Sequence, residues 1–156
     1  SELHRNKVVL RVLGDITALA DECRKEIEES IELTKNNTGL VLNFAFNYGG
    51  RDEITRAVRK IANRVSEGSL KPEDIDEDTI SNNLDTWELP DPDLLIRTSG
   101  EQRLSNYLCW QLAYTEFYFT DVPWPDFSKE ELEKAIEQYN SRDRRYGGIK
   151  EDEENV

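Results

Sequence analysis

Three short apolar runs, each about the length of a strand, restrict this chain most tightly. They are VVLRVL over residues 8–13, LVLNFAFN over 40–47, and Leu94-Leu95-Ile96. Runs that are apolar along nearly their whole length suit parallel strands buried on both faces. Helical periodicity fills the gaps between them. Leu19, Cys23, Ile27, Ile31 and Leu33 recur at helical spacing over 18–35, and Ile54, Val58, Ile61, Ala62 and Val65 do so over 52–66. A short acidic helix is expected over 75–84, and Ser128 with Glu131 makes a capping box for a last helix over 129–142. This alternation predicts an α/β fold: a mostly parallel central sheet flanked by helices, with ligand groups at the C-terminal ends of its strands.

The stretch 93–127 concentrates the chemistry. The run ending at Ile96 breaks into Arg97-Thr98-Ser99-Gly100-Glu101-Gln102-Arg103, and Ser105 stands where an N-cap belongs, before a helical pattern at Leu108, Gln111 and Leu112. A strand, a glycine turn and a helix N-terminus together form an anion site, because backbone N–H groups point outward and the helix dipole favours negative charge. Two guanidinium groups added to that geometry suit a diphosphate. The alternative is a structural ion-pair cluster, with Glu101 close enough in sequence to occupy one arginine. Glu116 heads an aromatic strand, Phe117-Tyr118-Phe119. A second strand-to-helix turn, Tyr48-Gly49-Gly50-Arg51-Asp52, suits either a tight turn or an anion. The extended connector 87–92 leads into the strand at 94 and is not expected to be a domain boundary.

Composition closes off other classes. Twenty basic residues against 33 acidic ones give a net charge of −13, which repels nucleic acid. Much of the acid lies over 21–32 and in the tail, where it reads as solvated surface. No run is long enough to span a membrane, and the N-terminus lacks the apolar core of a signal peptide. Cys23 and Cys109 have no metal-ligand spacing; both are placed on helices, reduced, with one in the core, as suits a cytoplasmic protein. His4, the one histidine, has no catalytic neighbours in sequence and is assigned to the surface.

The string DLLIRTSGEQRLSNYLCWQLAYTEFYFTDVPWPDF strongly resembles the signature of the cis-prenyltransferases, the bacterial undecaprenyl diphosphate synthases in particular. LNFAFNYGGR and the C-terminal RDRRYGG are similar to two further signatures of that family, and the resemblance runs from residue 3 to 148 without an obvious insertion. It implies that 1–148 is the C-terminal portion of a single cis-prenyltransferase domain, lacking its N-terminal strand-loop-helix part, and that 149–156 is a disordered acidic tail. The chain has no methionine and no DGNGRW-like string, so it reads as the C-terminal two-thirds of an enzyme, inactive alone.

The resemblance further implies a function. The family extends farnesyl diphosphate with isopentenyl diphosphate units in cis geometry, giving undecaprenyl diphosphate, the precursor of a cell-wall lipid carrier. Carried over by position, Arg97, Arg103 and Ser105 would hold the diphosphate of isopentenyl diphosphate, and Glu116 would supply one ligand to Mg²⁺. Arg144, Arg145, Gly147 and Gly148 would reach across a homodimer to the partner's diphosphate site. Leu40, Leu42, Phe44 and Phe46 would line the product tunnel, against the plainer reading of ordinary core packing, and Asn47 and Arg51 would stand at the rim. No residue of this chain is assigned as the catalytic acid or base; Gln102, a histidine in some relatives, cannot titrate near neutrality. Contact with the membrane would be peripheral at most. The competing reading is a non-catalytic subunit, or a phosphate-binding module, of the same fold.

Overall fold

A computed structural model describes residues 2–142. In chain order the elements are α1 (Glu2–Arg5), β1 (Val9–Leu13), α2 (Asp21–Thr34), β2 (Val41–Ala45), α3 (Gly50–Ser66), α4 (Glu77–Ser81), β3 (Leu94–Arg97), β4 (Glu116–Phe119) and α5 (Lys129–Asn140). The expected α/β class is present, and both strand pairs are parallel. They form two ladders, β1 with β2 and β3 with β4, in two compact units. Among the described residues, 2–91 with 104–113 make the first unit and 92–103 with 114–142 the second. The connector 87–92 therefore leads from one ladder to another, not along one sheet.

In the first unit Leu10 and Leu13 of β1, Ala57 and Ile61 of α3, and Leu84, Leu108 and Leu112 from the connecting segments are buried. Thr34, the last residue of α2, is buried and accepts the Leu10 N–H through its hydroxyl at 3.0 Å, which ties the helix end to the strand. β2 departs from expectation. Leu40, just before the strand, and Val41 and Phe44 within it are exposed. In the second unit α5 packs on β4 and buries Ala135. Ser128 caps α5 by accepting the Glu131 N–H at 3.4 Å, and the helix ends at Asn140, two residues before the predicted limit. No helix among the described residues is long and apolar enough to cross a membrane.

Candidate functional site: an arginine turn and a capped glycine turn

Arg97 closes β3, and the chain then turns through two left-handed residues, Ser99 (φ 64°) and Gly100 (φ 68°). A Cβ at residue 100 would lie 2.9 Å from Asp121 Oδ1, the movable end of a side chain, so it is the left-handed φ that calls for glycine there. The turn is not an amide cradle. The Ser99 N–H donates to the Val122 carbonyl at 3.0 Å and the Gly100 N–H to the Thr120 carbonyl at 2.9 Å. This corrects the expectation of outward-pointing N–H groups: the loop that follows β4 takes them. What the turn can offer an anion is guanidinium. Arg103 is paired with Glu101, as the ion-pair reading anticipated. Its side chain is 65% exposed, so the pair is solvated and a ligand could displace it at small cost.

The helix expected after Ser105 does not form. Ser105 (φ 51°), Asn106 (φ 63°) and Leu108 (φ 43°) are left-handed, which a right-handed helix cannot accommodate, so residues 105–114 run as successive turns. Ser105 is thus no N-cap, and no helix dipole stands behind it. The apolar spacing that suggested a helix reflects anchoring instead: Leu108 and Leu112 are buried, and Trp110 Nε1 donates to Ser81 Oγ at 3.0 Å. Cys109 and Cys23 are both exposed, so neither is the expected core cysteine.

The turn after β2 is closed from within the first unit. Gly49 is the N-cap of α3 and has no side chain to cap it. Asn106 does so instead, accepting the Gly50 N–H on its carbonyl at 2.7 Å and the Arg51 N–H on Oδ1 at 2.9 Å. A cleft of about 390 Å³ opens at the C-terminal ends of β1 and β2, lined by Asp15, Asn47, Tyr48, Gly49 and Asp52. With two carboxylates in its wall and two first-turn amides already taken, it does not suit a phosphate. Of the two readings left open for this turn, the structure supports the tight turn.

Behind it lies a buried polar network that sequence reasoning missed. Glu53 is 1% exposed and accepts Tyr48 Oη at 2.5 Å, the Asp85 N–H at 2.8 Å and Gln111 Nε2 at 3.1 Å. Burial first, and then the bond to Glu53, push the Tyr48 hydroxyl far above the ordinary tyrosine range. Asp85 receives both terminal nitrogens of Arg56 at 2.7 Å and the Gly14 N–H at 3.0 Å. The Arg56 guanidinium beside it holds the Asp85 carboxyl below the usual carboxylate range. The available signal was periodicity: Glu53 shares the i, i+4, i+8 row of α3 with Ala57 and Ile61.

In the second unit the ladder register sets Glu116 opposite Leu94 and Phe119 opposite Arg97. Glu116 and Arg97 therefore lie at opposite ends of the ladder, roughly 10 Å apart along it at about 3.3 Å per residue. Arg142 holds Glu116, donating to its Oε2 at 2.5 Å and to the Phe117 carbonyl at 2.9 Å. No group of three or more His, Cys, Asp or Glu side chains among the described residues could hold a metal. Mg²⁺ needs a near-octahedral set of oxygens, and one carboxylate already paired with arginine does not provide it. The described residues do not fit a Mg²⁺ site by themselves. Arg144, Arg145, Gly147 and Gly148, with the tail 149–156, lie outside the described residues.

The family model described as undecaprenyl diphosphate synthase, of the prenyltransferases, matches residues 1–147. The chain belongs to that family. It is 50% identical over 149 residues to the isoprenyl transferase of Clostridium tetani, covering 96% of this chain and 58% of that protein. It is 55% identical over 152 residues to the isoprenyl transferase of Streptococcus thermophilus, covering 95% and 61%. The chain thus spans about three-fifths of the length of these curated relatives. Among solved structures, lavandulyl diphosphate synthase from Lavandula x intermedia, in complex with dimethylallyl diphosphate, superposes with a TM-score of 0.91 at 41% identity, covering 94% of this chain and 64% of that one.

Proposed function

We propose that the complete protein is a cis-prenyltransferase that condenses isopentenyl diphosphate units onto farnesyl diphosphate to make undecaprenyl diphosphate for cell-wall synthesis. The observation that carries this is the family match over residues 1–147, which includes both arginines of the turn after β3. In this reading Arg97, Arg103 and Ser105 hold the diphosphate of isopentenyl diphosphate. The work of the protein is positioning and charge neutralisation while the allylic diphosphate leaves. The dimethylallyl diphosphate named with the solved lavender relative supports an allylic diphosphate as the second substrate.

Mg²⁺ belongs to this reading as an ion of the complete enzyme. It would neutralise diphosphate charge, and Glu116 would contribute one oxygen after release by Arg142. Residues 1–148 would be part of one catalytic domain, working as a cytoplasmic homodimer, with Arg144, Arg145, Gly147 and Gly148 reaching the partner. Isopentenyl diphosphate with a radioactive label, supplied with farnesyl diphosphate and Mg²⁺ to the complete protein, should give a long-chain lipid diphosphate. No incorporation by that protein, with a bacterial relative active in the same assay, would overturn the assignment in favour of the non-catalytic reading.

A further inference from the structure

The 105–106 backbone is left-handed, an arrangement that costs free energy for residues other than glycine unless their surroundings fix it. Asparagine tolerates it better than serine does. Asn106 also makes the bonds that hold it: its carbonyl and Oδ1 receive the first two N–H groups of α3, a helix whose N-cap is a bare glycine. Side chain and main chain of one residue therefore clamp the segment 105–106 to the 17-residue helix α3. The clamp is tight on its other side too. A Cβ added at Gly49 would lie 2.8 Å from Asn106 Nδ2.

We propose that Asn106 is a positioning residue for substrate binding: by capping α3 from a distant segment it fixes the strained backbone of Ser105, and so the place of the Ser105 hydroxyl. This rests on the reading of Ser105 as a group that holds the diphosphate of isopentenyl diphosphate. Gln111 anchors the same segment from inside, through Glu53 at 3.1 Å and Thr86 Oγ1 at 2.9 Å. Asn106 is the clamp that adjoins Ser105, and removing its side chain leaves only the main-chain bond to Gly50, which loosens the serine without dissolving the segment.

The test uses the complete protein with two readouts, amide hydrogen exchange at Arg51 and the kinetics with isopentenyl diphosphate. Asn106→Ala should speed Arg51 exchange about fivefold, the usual effect of losing a helix cap. It should raise KM for isopentenyl diphosphate at least threefold and leave kcat within twofold. Asn106→Asp keeps an oxygen acceptor and should restore Arg51 protection. Gly49→Ala pushes on the Asn106 amide from outside; it should raise KM alone and add nothing in an Asn106→Ala background. Normal KM in both single variants, or additive effects in the double variant, would overturn the positioning role. If Asn106→Ala does not fold, Gly49→Ala decides alone. A parent protein that fails to bind isopentenyl diphosphate sinks the functional reading and the positioning role with it. A parent that binds, with Asn106→Ala binding equally well, sinks the positioning role only.

Discussion

Two glycine turns follow parallel strands in this molecule, Gly49-Gly50 after β2 and Ser99-Gly100 after β3, and they are spent differently. Both give their N–H groups to internal acceptors, so neither is the amide nest that a glycine turn suggests. Behind the first lies a buried carboxylate, Glu53, with Asp15 and Asp52 in the adjoining cleft. The second is flanked by Arg97 and Arg103. Once the backbone donors are used, the flanking side chains decide which turn can receive an anion. The lesson is chemical: a shared backbone device carries no function until its flanking groups and their partners are counted.

The comparison breaks most sharply at Glu53. Glu53→Ala strands three donors in a buried place and should cost about 2–4 kcal/mol of stability. Urea denaturation of the complete protein measures this, and a loss below about 0.5 kcal/mol would mean that the first turn is not held from behind. At the second turn the effect should fall on affinity. Arg103→Ala removes charge-assisted bonds of about 1.5–3 kcal/mol, so KM for isopentenyl diphosphate should rise roughly 10- to 100-fold with little change in melting temperature. An unchanged KM would remove Arg103 from the site.

A smaller effect is expected at Asp85, and it depends on pH. Its carboxyl lies below the usual range in the folded chain, because Arg56 stabilises the charged form. Its contribution is therefore fully present above the ordinary carboxylate value of about 4, and is lost as pH falls through the lowered folded value. Asp85→Asn should cost about 1–2 kcal/mol at pH 7, and the gap to the parent should close as the medium is made strongly acid. A gap that stays constant down to pH 3 would contradict the ion pair. The smallest change is expected at Glu116. Glu116→Gln should lose less than about 1 kcal/mol, since the pair with Arg142 is partly solvated. If Glu116 also serves Mg²⁺, the activity of that variant should need more of the ion, and superimposable Mg²⁺ titrations would leave it only the structural role.

The apolar runs at 8–13, 40–47 and 94–96 declared their strands and the helical spacing over 52–66 declared α3, because apolar residues recur at the period of an element. The buried row of that helix, however, is Glu53, Ala57 and Ile61, and Val58, expected on the inner face, is exposed. The segment 105–114 hid for the same reason. Leu108, Gln111 and Leu112 have helical spacing, but they are buried by consecutive turns, and left-handed φ at Ser105 and Asn106 leaves no mark in an apolar pattern. The amide partners of both glycine turns were equally hidden, since Asn106, Thr120 and Val122 receive them from elsewhere in the chain. The arginines could be read from local sequence; what surrounds them required the fold.

The central claim is that side-chain guanidinium at the second turn, rather than backbone amide at either, receives the diphosphate. Titrating isopentenyl diphosphate into the complete protein labelled with ¹⁵N tests it directly. The predicted result is large, saturable movement of the Arg97 and Arg103 Nε–H resonances, with the amides of Gly50, Arg51, Ser99 and Gly100 nearly still. Movement of those four amides at full amplitude, with both arginine side chains unmoved, would contradict it.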